Sequence, residues 1–284
     1  MQTIFTKEEL RRALTAPAPR TVLVPTMGAL HAGHASLLNQ ARELAGPQGR
    51  VVASVFLNPV QFDNAGDLAA YPSAPEADIA LCEACGVDLV FMPAPDEMYS
   101  PDRSMRVEET HLANVLCGET RPGHFAGVCL VVAKLFNLVQ PTDAVFGKKD
   151  YQQLAILRRM VRDLDIPVTL HGAEIVREPD GLALSSRNAR LTPEHRAAAP
   201  ALRRSLLAAK RLWENGSPAA KAYNAIVTEL TPLPGVRLEY AHLADAETLH
   251  PLQDDHAPAL LAAAVWFGDV RLIDNIELQR PDTC

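Results

Sequence analysis

The sequence predicts an α/β protein: a Rossmann-like parallel sheet with crossover helices, followed by a smaller C-terminal α+β domain. Three observations carry this expectation. Short apolar runs rich in β-branched residues recur with helix-like segments between them, as in βαβ units. Near residue 176 that alternation gives way to a long alanine-rich helical stretch and then to strands in succession. The length, 284 residues, allows one large or two medium domains at roughly 100–200 residues each. The expected boundaries are 1–175 and 176–284.

Each element has a local reason. The strand-like runs are Thr21–Val24, Val51–Leu57, Val87–Met92, Ala144–Phe146 and Val168–Leu170. A helix-like Ala35–Leu44 follows the first. Ser73-Ala74-Pro75-Glu76 reads as a capping box with proline in the first turn, opening a helix to about Cys85 that Gly86 stops. Between Gly127 and Gln140, Val128, Val131, Val132, Leu135, Leu138 and Val139 recur at three- and four-residue steps until Pro141 ends the run. Gln152–Leu164 has the same period and reads as a crossover helix. Beyond residue 176, Thr192-Pro193-Glu194 starts a long helix expected to end near Asn215-Gly216, and a second helix covers about Ala219–Leu230. Pro232-Leu233-Pro234-Gly235 turns the chain, and strands follow at Val236–Leu243, Leu260–Phe267 and Val270–Ile273.

Composition excludes several classes of function. With 48% apolar and 21% charged residues, the chain can bury a core without disulfides or metal staples. Its net charge of −7, with no basic half, argues against a nucleic-acid partner. No apolar run is long enough to span a bilayer, and the first residues lack a signal peptide's basic flank and apolar stretch, so the expectation is a cytoplasmic protein with no membrane partner. The five cysteines, at 82, 85, 117, 129 and 284, suit a reducing compartment. Cys82 and Cys85 form a CxxC, but it lies inside a helix-like run without a second pair at zinc spacing, which favours a packing role.

The most informative segment is Thr21-Val22-Leu23-Val24-Pro25-Thr26-Met27-Gly28-Ala29-Leu30-His31-Ala32-Gly33-His34: a strand, a glycine-containing turn and the start of a helix. In an open parallel sheet ligands bind at the carboxyl ends of the strands, and a helix amino terminus presents free N–H groups to an anion. His31 and His34, three residues apart, fall on one side of the first turn and could hold a phosphate and share its developing charge. The pair could instead bind a metal, but no third ligand follows at a helical spacing. No GxxxxGK[ST] and no GxGxxG occurs, which disfavours an ordinary kinase or dehydrogenase. A histidine-built phosphate site at the first strand-to-helix turn is similar to that of the HxGH adenylyl-transferring superfamily.

Five blocks in register carry a closer resemblance: Pro25 to His34, Phe56-Leu57-Asn58-Pro59-Val60-Gln61-Phe62, Arg121-Pro122-Gly123-His124-Phe125-Ala126-Gly127-Val128, Phe146-Gly147-Lys148-Lys149-Asp150-Tyr151-Gln152-Gln153-Leu154, and Asp180-Gly181-Leu182-Ala183-Leu184-Ser185-Ser186-Arg187-Asn188. Together they resemble the pantothenate synthetase (pantoate–β-alanine ligase) family from the first residues to about Leu278. The resemblance implies that pantoate attacks the α-phosphorus of MgATP, giving pantoyl adenylate and pyrophosphate, and that the amine of β-alanine then displaces AMP. It also implies a homodimer, and a second domain that acts as a lid.

Residue by residue, the resemblance assigns Met27, Gly28, Ala29, Leu30, His31, Ala32, Gly33 and His34 to the ATP site, with His34 the proton donor and His31 a phosphate contact. Gln61 would bind pantoate and β-alanine, and Gln153 pantoate; an amide that donates and accepts suits hydroxyl and carboxylate groups. Gly147, Lys148, Lys149 and Asp150 would meet the nucleotide, Lys149 as a point charge on the triphosphate. The family usually carries Glu or Gln where this chain has Lys148. Leu184, Ser185, Ser186 and Arg187 resemble the superfamily's second ATP motif, in which the arginine tracks departing phosphate oxygens. Val176 would lie near adenine, and Arg121 and His124 would be loop contacts. Lys149 and Arg187 complete the expected catalytic set with the two histidines, and Mg²⁺ would keep mainly water and phosphate ligands.

Two other readings share parts of this pattern. A nucleotidyltransferase acting on a phosphorylated substrate would favour cations where Gln61 and Gln153 stand. A catalytically silent nucleotide-binding protein has no need of His31, His34, Lys149 and Arg187 together.

Overall fold

The computed structural model describes residues 1–63, 65–252 and 258–278; the tail Gln279–Cys284 lies outside the described residues. In chain order the elements are β1 (Gln2–Ile4), α1 (Lys7–Leu14), β2 (Thr21–Thr26), α2 (Ala32–Ala45), β3 (Arg50–Val55), α3 (Ala65–Ala69), α4 (Pro75–Ala84), β4 (Leu89–Phe91), α5 (Pro95–Met98), α6 (Cys117–Thr120), α7 (His124–Val139), β5 (Asp143–Gly147), α8 (Tyr151–Asp163), β6 (Thr169–Ala173), α9 (Pro193–Ala198), α10 (Ala201–Glu214), α11 (Ala219–Leu230), β7 (Val236–Asp245), β8 (Ala259–Phe267) and β9 (Val270–Leu278). Contacts divide the chain into two units. One comprises residues 1–113, 121–148 and 153–175; the other comprises 114–120, 149–152 and 176–284.

The first unit is built on a six-stranded parallel sheet of order β1-β4-β3-β2-β5-β6. Val22, Leu23 and Val24 are fully buried, as a central strand covered on both faces requires. One covering layer is α2 and α4, whose Leu37, Leu38, Ala41 and Cys82 pack on Val22, Val24, Val51, Ala53 and Val90. Strands β3 and β4 step outward from β2 on one side, and β5 and β6 lie on the other. The order therefore reverses between β2 and β5, where pairing is confined to Val22 with Asp143 and Leu23 with Ala144. Two residues past the last pair stands Pro25, which has no N–H to give a neighbour. A reversal of this kind opens a ligand crevice at the carboxyl ends of the strands.

The opposite, amino-terminal edge of the same strands is tied by Asp143. Its buried carboxylate accepts from Arg20 Nε and Nη2, each at 2.6 Å, from His171 Nε2 at 2.7 Å and from Thr142 Oγ1 at 2.7 Å. The Arg20 guanidinium above all holds this carboxyl well below the usual carboxylate range.

In the second unit β7, β8 and β9 form an antiparallel sheet in that order, with a register shift in β7 between Leu238 and Tyr240. Leu202, Leu206 and Trp213 of α10 and Ile226 and Leu230 of α11 pack with Leu261, Val265, Phe267 and Leu272 of the sheet. The short stretches 114–120 and 149–152 are fastened into this unit by specific bonds. Gln152 receives the Cys117 N–H at 3.0 Å and donates to the Val115 carbonyl at 2.6 Å; Thr120 Oγ1 donates to Glu239 at 2.8 Å; Asn275 donates to the Lys149 carbonyl at 2.9 Å.

Several elements depart from the sequence expectation. β1 joins the edge of the large sheet from a segment too short to show a period. The helix after residue 73 starts at Pro75, with Ala74 at its cap and no side-chain cap bond, so the capping box is not formed. The single helix expected from Thr192 to Asn215 is two, α9 and α10. Thr192 does cap α9, but Pro200 cannot supply the N–H that would carry it on, and α10 begins at Ala201. Strand β9 continues to Leu278, past the expected Ile273.

Candidate active site

The turn after β2 is shaped by its backbone. Gly28 and Ala29 both have positive φ, +88° and +51°, before the chain becomes extended at His31. Only glycine fits at position 28: besides its φ, an added β-carbon would lie 3.1 Å from Asp78 Oδ2 and 3.3 Å from Val55 Cγ1. Ala29 has a β-carbon and holds the left-handed conformation at a cost of about 1–2 kcal/mol.

His31 is the N-cap of α2 and His34 stands in its first turn. Nδ1 of His31 accepts the Gly33 N–H at 3.1 Å, and Nδ1 of His34 accepts the His31 N–H at 3.2 Å, with ring centroids 4.2 Å apart. A nitrogen that accepts an N–H carries no proton, so both bonds select the neutral tautomer with hydrogen on Nε2. The pair therefore offers two Nε2–H donors from one helix end. The spacing of the two rings is set within four residues, which is why the sequence displays the pair.

Gln61 lies on a 3-10 turn, Pro59–Gln61, at the exit of β3, and it is buried. Its Oε1 accepts from Asn58 Nδ2 at 2.9 Å, and its Nε2 donates to the Met27 sulfur at 3.1 Å, which links it to the β2 turn. Asn58 also donates to the Gly127 carbonyl at 3.2 Å and accepts the Tyr99 hydroxyl at 2.8 Å. Burial pushes the Tyr99 phenol up to about 12, and Lys134 and Arg103 stand 5.7 and 5.5 Å from its ring centre. From above, His124 Nδ1 donates to the Gln61 carbonyl at 2.7 Å, and Arg121 is bonded to Asp63 and to His124 Nε2. Arg121 and His124 thus hold the loop that carries Gln61.

The exit of β5 carries Gly147 and Lys148. Lys148 is ion-paired to Glu174 at 2.6 Å beyond β6, and its stem lies against Gly172, so the added positive charge has a carboxylate beside it. Gln153 is half-buried in the first turn of α8. Of the remaining expected site residues, Lys149, Asp150, Val176, Leu184, Ser185, Ser186 and Arg187 belong to the second unit. There the Val176 carbonyl accepts the Leu184 N–H at 3.0 Å, and Ser185 caps the 3-10 turn Ser186–Arg190 by accepting the Arg187 N–H at 3.3 Å. Asn188 donates to the Ala183 carbonyl, while its buried Oδ1 has no partner among the described residues.

The two units thus carry different parts of the expected set. The first brings together the β2 turn, both histidines and Gln61, and the second holds the loop of Ser185, Ser186 and Arg187. Sequence reasoning missed Asp78 and Tyr99, which reach this chemistry from α4 and from the residue after α5. No motif marks either one; Asp78 shows in the sequence only as an acid in the first turns of a helix.

A family model described as pantoate-beta-alanine ligase matches residues 2–277. A pantothenate synthetase of Akkermansia muciniphila is 60% identical over 281 residues, covering 98% of this chain and all of its own. The crystal structure of pantothenate synthetase from Thermus thermophilus superimposes with a TM-score of 0.93 at 48% identity, covering 98% of this chain and 100% of that one. The pantoate-beta-alanine ligase of Francisella tularensis, complexed with beta-gamma ATP and beta-alanine, gives a TM-score of 0.81 at 31% identity, covering 98% and 97%.

Proposed function

The chain belongs to the pantoate–β-alanine ligase family, and on that premise we propose that it condenses (R)-pantoate with β-alanine to pantothenate, converting ATP to AMP and pyrophosphate by way of pantoyl adenylate. The observation that carries the reading is the pair of imidazoles held as Nε2–H donors at the amino end of α2, beside the point where the strand order reverses.

The first step moves negative charge onto the oxygen between the α- and β-phosphates as pyrophosphate leaves. Two fixed N–H donors stabilise that charge without reorganising, with the His34 Nε2–H hydrogen-bonded to the leaving oxygen as the bond breaks and the proton kept on the ring. His31 contacts the phosphates. Lys149 and Arg187 add fixed positive charge for the triphosphate, Arg187 with the fork geometry that matches phosphate oxygens. Met27 to His34, Gly147, Lys148, Asp150, Val176, Leu184, Ser185 and Ser186 line the nucleotide. Gln61 and Gln153 take pantoate, and Gln61 also takes β-alanine. Asn58 fixes the orientation of the Gln61 amide by donating to its oxygen, leaving the nitrogen as the donor.

Mg²⁺ enters with ATP. Among the described residues no group of three His, Cys, Asp or Glu is disposed to hold a metal, and phosphate oxygens with water form the ligand set that Mg²⁺ prefers. In the described residues no helix is long and apolar enough to cross a membrane. The reading extends to a cytoplasmic homodimer; sedimentation velocity tests the dimer.

The deciding experiment mixes the protein with ATP, Mg²⁺, pantoate and β-alanine and follows AMP, omitting each substrate in turn. AMP and pantothenate appear together only in the complete mixture, and pantoyl adenylate accumulates when β-alanine is left out. AMP release that needs neither pantoate nor β-alanine, or no AMP at all, overturns the reading.

A further inference from the structure

The histidine pair is aimed by a turn that does not hold itself. Gly28 and Ala29 take left-handed conformations in succession, and Ala29 does so against its own preference. What secures them comes from far along the chain. Asp78, on α4, is 2% exposed; its Oδ2 accepts the Ala29 N–H at 3.0 Å and its Oδ1 accepts the Leu30 N–H at 2.6 Å.

A carboxylate is costly at this position. It is taken out of water with no cation bonded to it among the described residues, and it lies beneath a turn proposed to receive a triphosphate. Two charge-assisted bonds and the amino end of α4 offset that cost, as does the close seat left by the missing side chain of Gly28. The same two bonds turn the Ala29 and Leu30 amides inward, away from any anion above the turn. Donation to phosphate from this segment is thereby left to the histidine rings. Leu30 precedes His31 directly, so the dihedrals that Asp78 fixes set where the N-cap and both rings stand.

We infer that Asp78 is a positioning residue for the reaction, its buried carboxylate holding the turn at Gly28-Ala29 and so aiming His31 and His34. This rests on the role proposed for the two histidines. Asparagine is a demanding replacement despite its equal size. It offers one acceptor and one donor to two main-chain N–H groups, so one bond becomes a donor facing a donor.

The test compares Asp78→Asn with the parent in two ways. Nitrogen-15 spectra of the imidazoles in the substrate-free protein show the Nε2–H tautomer for both histidines in the parent, and a mixture of tautomers in the variant. In the AMP assay, Asp78→Asn lowers kcat roughly 10–100-fold while the KM for β-alanine stays unchanged. In a His34→Ala background the same substitution costs less, because one of the two groups it aims is gone. Unchanged tautomers and kcat in a folded Asp78→Asn protein overturn the inference, and so does an equal loss in both backgrounds. Should Asp78→Asn not fold, the same comparisons are made in Ala29→Gly, where the turn no longer strains a non-glycine residue. The spectra need no substrate. A protein that forms no AMP would therefore sink the proposed reaction, while the tautomers still decide the role of Asp78.

Discussion

Gly127 lies directly against Gln61: a β-carbon added to the glycine would stand 2.7 Å from the Cα and from the main-chain N of Gln61, and 2.7 Å from the Val60 carbonyl oxygen. Replacing a helical glycine with alanine ordinarily gains about 1 kcal/mol. Here the sign reverses, because backbone on both sides leaves nothing flexible to yield. Gly127→Ala is expected to lose roughly 1–3 kcal/mol, read from denaturant midpoints, and to lower turnover roughly 10–100-fold by moving the Gln61 amide. Normal turnover in that variant would show that Gln61 does not need its present seat.

Removing the Nε2–H donor of His34 tests the chemistry itself. His34→Ala is expected to lower turnover by roughly 10²–10⁴ with the circular dichroism spectrum unchanged. Loss of its bond to the His31 N–H lowers stability by about 1 kcal/mol at most, far too little to account for such a fall. Near-normal turnover would mean that another group donates to the leaving oxygen.

Tyr99 is expected to act through Asn58. In Tyr99→Phe the Asn58 oxygen keeps the Val60 N–H, at 3.3 Å, and loses the hydroxyl. Stability falls by about 1 kcal/mol, and the KM for pantoate rises a few-fold with a smaller change in kcat. A change confined to ATP kinetics would speak against this chain of bonds.

Asp143 gives the sheet an acid limit. Its carboxyl titrates below the usual range in the folded protein, chiefly because Arg20 donates to it, so the stabilisation is present above the unfolded value of about 3.9 and is lost as pH falls through the lower folded one. Asp143→Asn is expected to lower Tm by roughly 3–8 °C at neutral pH. That difference should hold steady above about pH 5 and narrow below about pH 4. A difference that widens on acidification would reverse the assignment.

The CxxC at the carboxyl end of α4, with Cys82 in the helix and Cys85 its C-cap, is expected to be chemically silent. Burial, with Asp78 and Cys85 adding to it, pushes the Cys82 thiol up to about 12, and burial likewise pushes Cys129 up to about 12. Neither should be alkylated near neutral pH by a reagent that labels both after denaturation, with mass spectrometry as the readout. Rapid native labelling of Cys82, or a Cys82–Cys85 disulfide under mild oxidant, would point to a redox role.

What could be read from the sequence was what is decided locally. His31, Gly33 and His34 are neighbours on one turn, so their spacing reports their geometry, and the β-branched runs report strands buried on both faces. Gln61 was legible as a polar side chain at a strand exit. Its orientation was not, because Met27 and Gly127 reach it, and Tyr99 reaches its partner Asn58, from three other segments. Asp78 was hidden for the same reason. The break at Pro200 is a different matter: proline inside a helical run carries its own signal, and it marks the boundary between α9 and α10.

The second unit draws on three separate lengths of chain, 114–120, 149–152 and 176–284. During synthesis the first two leave the ribosome well before Glu239 and Asn275, the partners of Thr120 and Lys149, exist. Thr120 and Lys149 wait for these partners through the making of more than a hundred residues. A gene cut after residue 175 would strand them on the amino-terminal fragment, leaving the carboxyl-terminal fragment without two pieces of its own interior. Co-expression of the two fragments, rather than either alone, is then the route by which a split form of this protein would regain solubility.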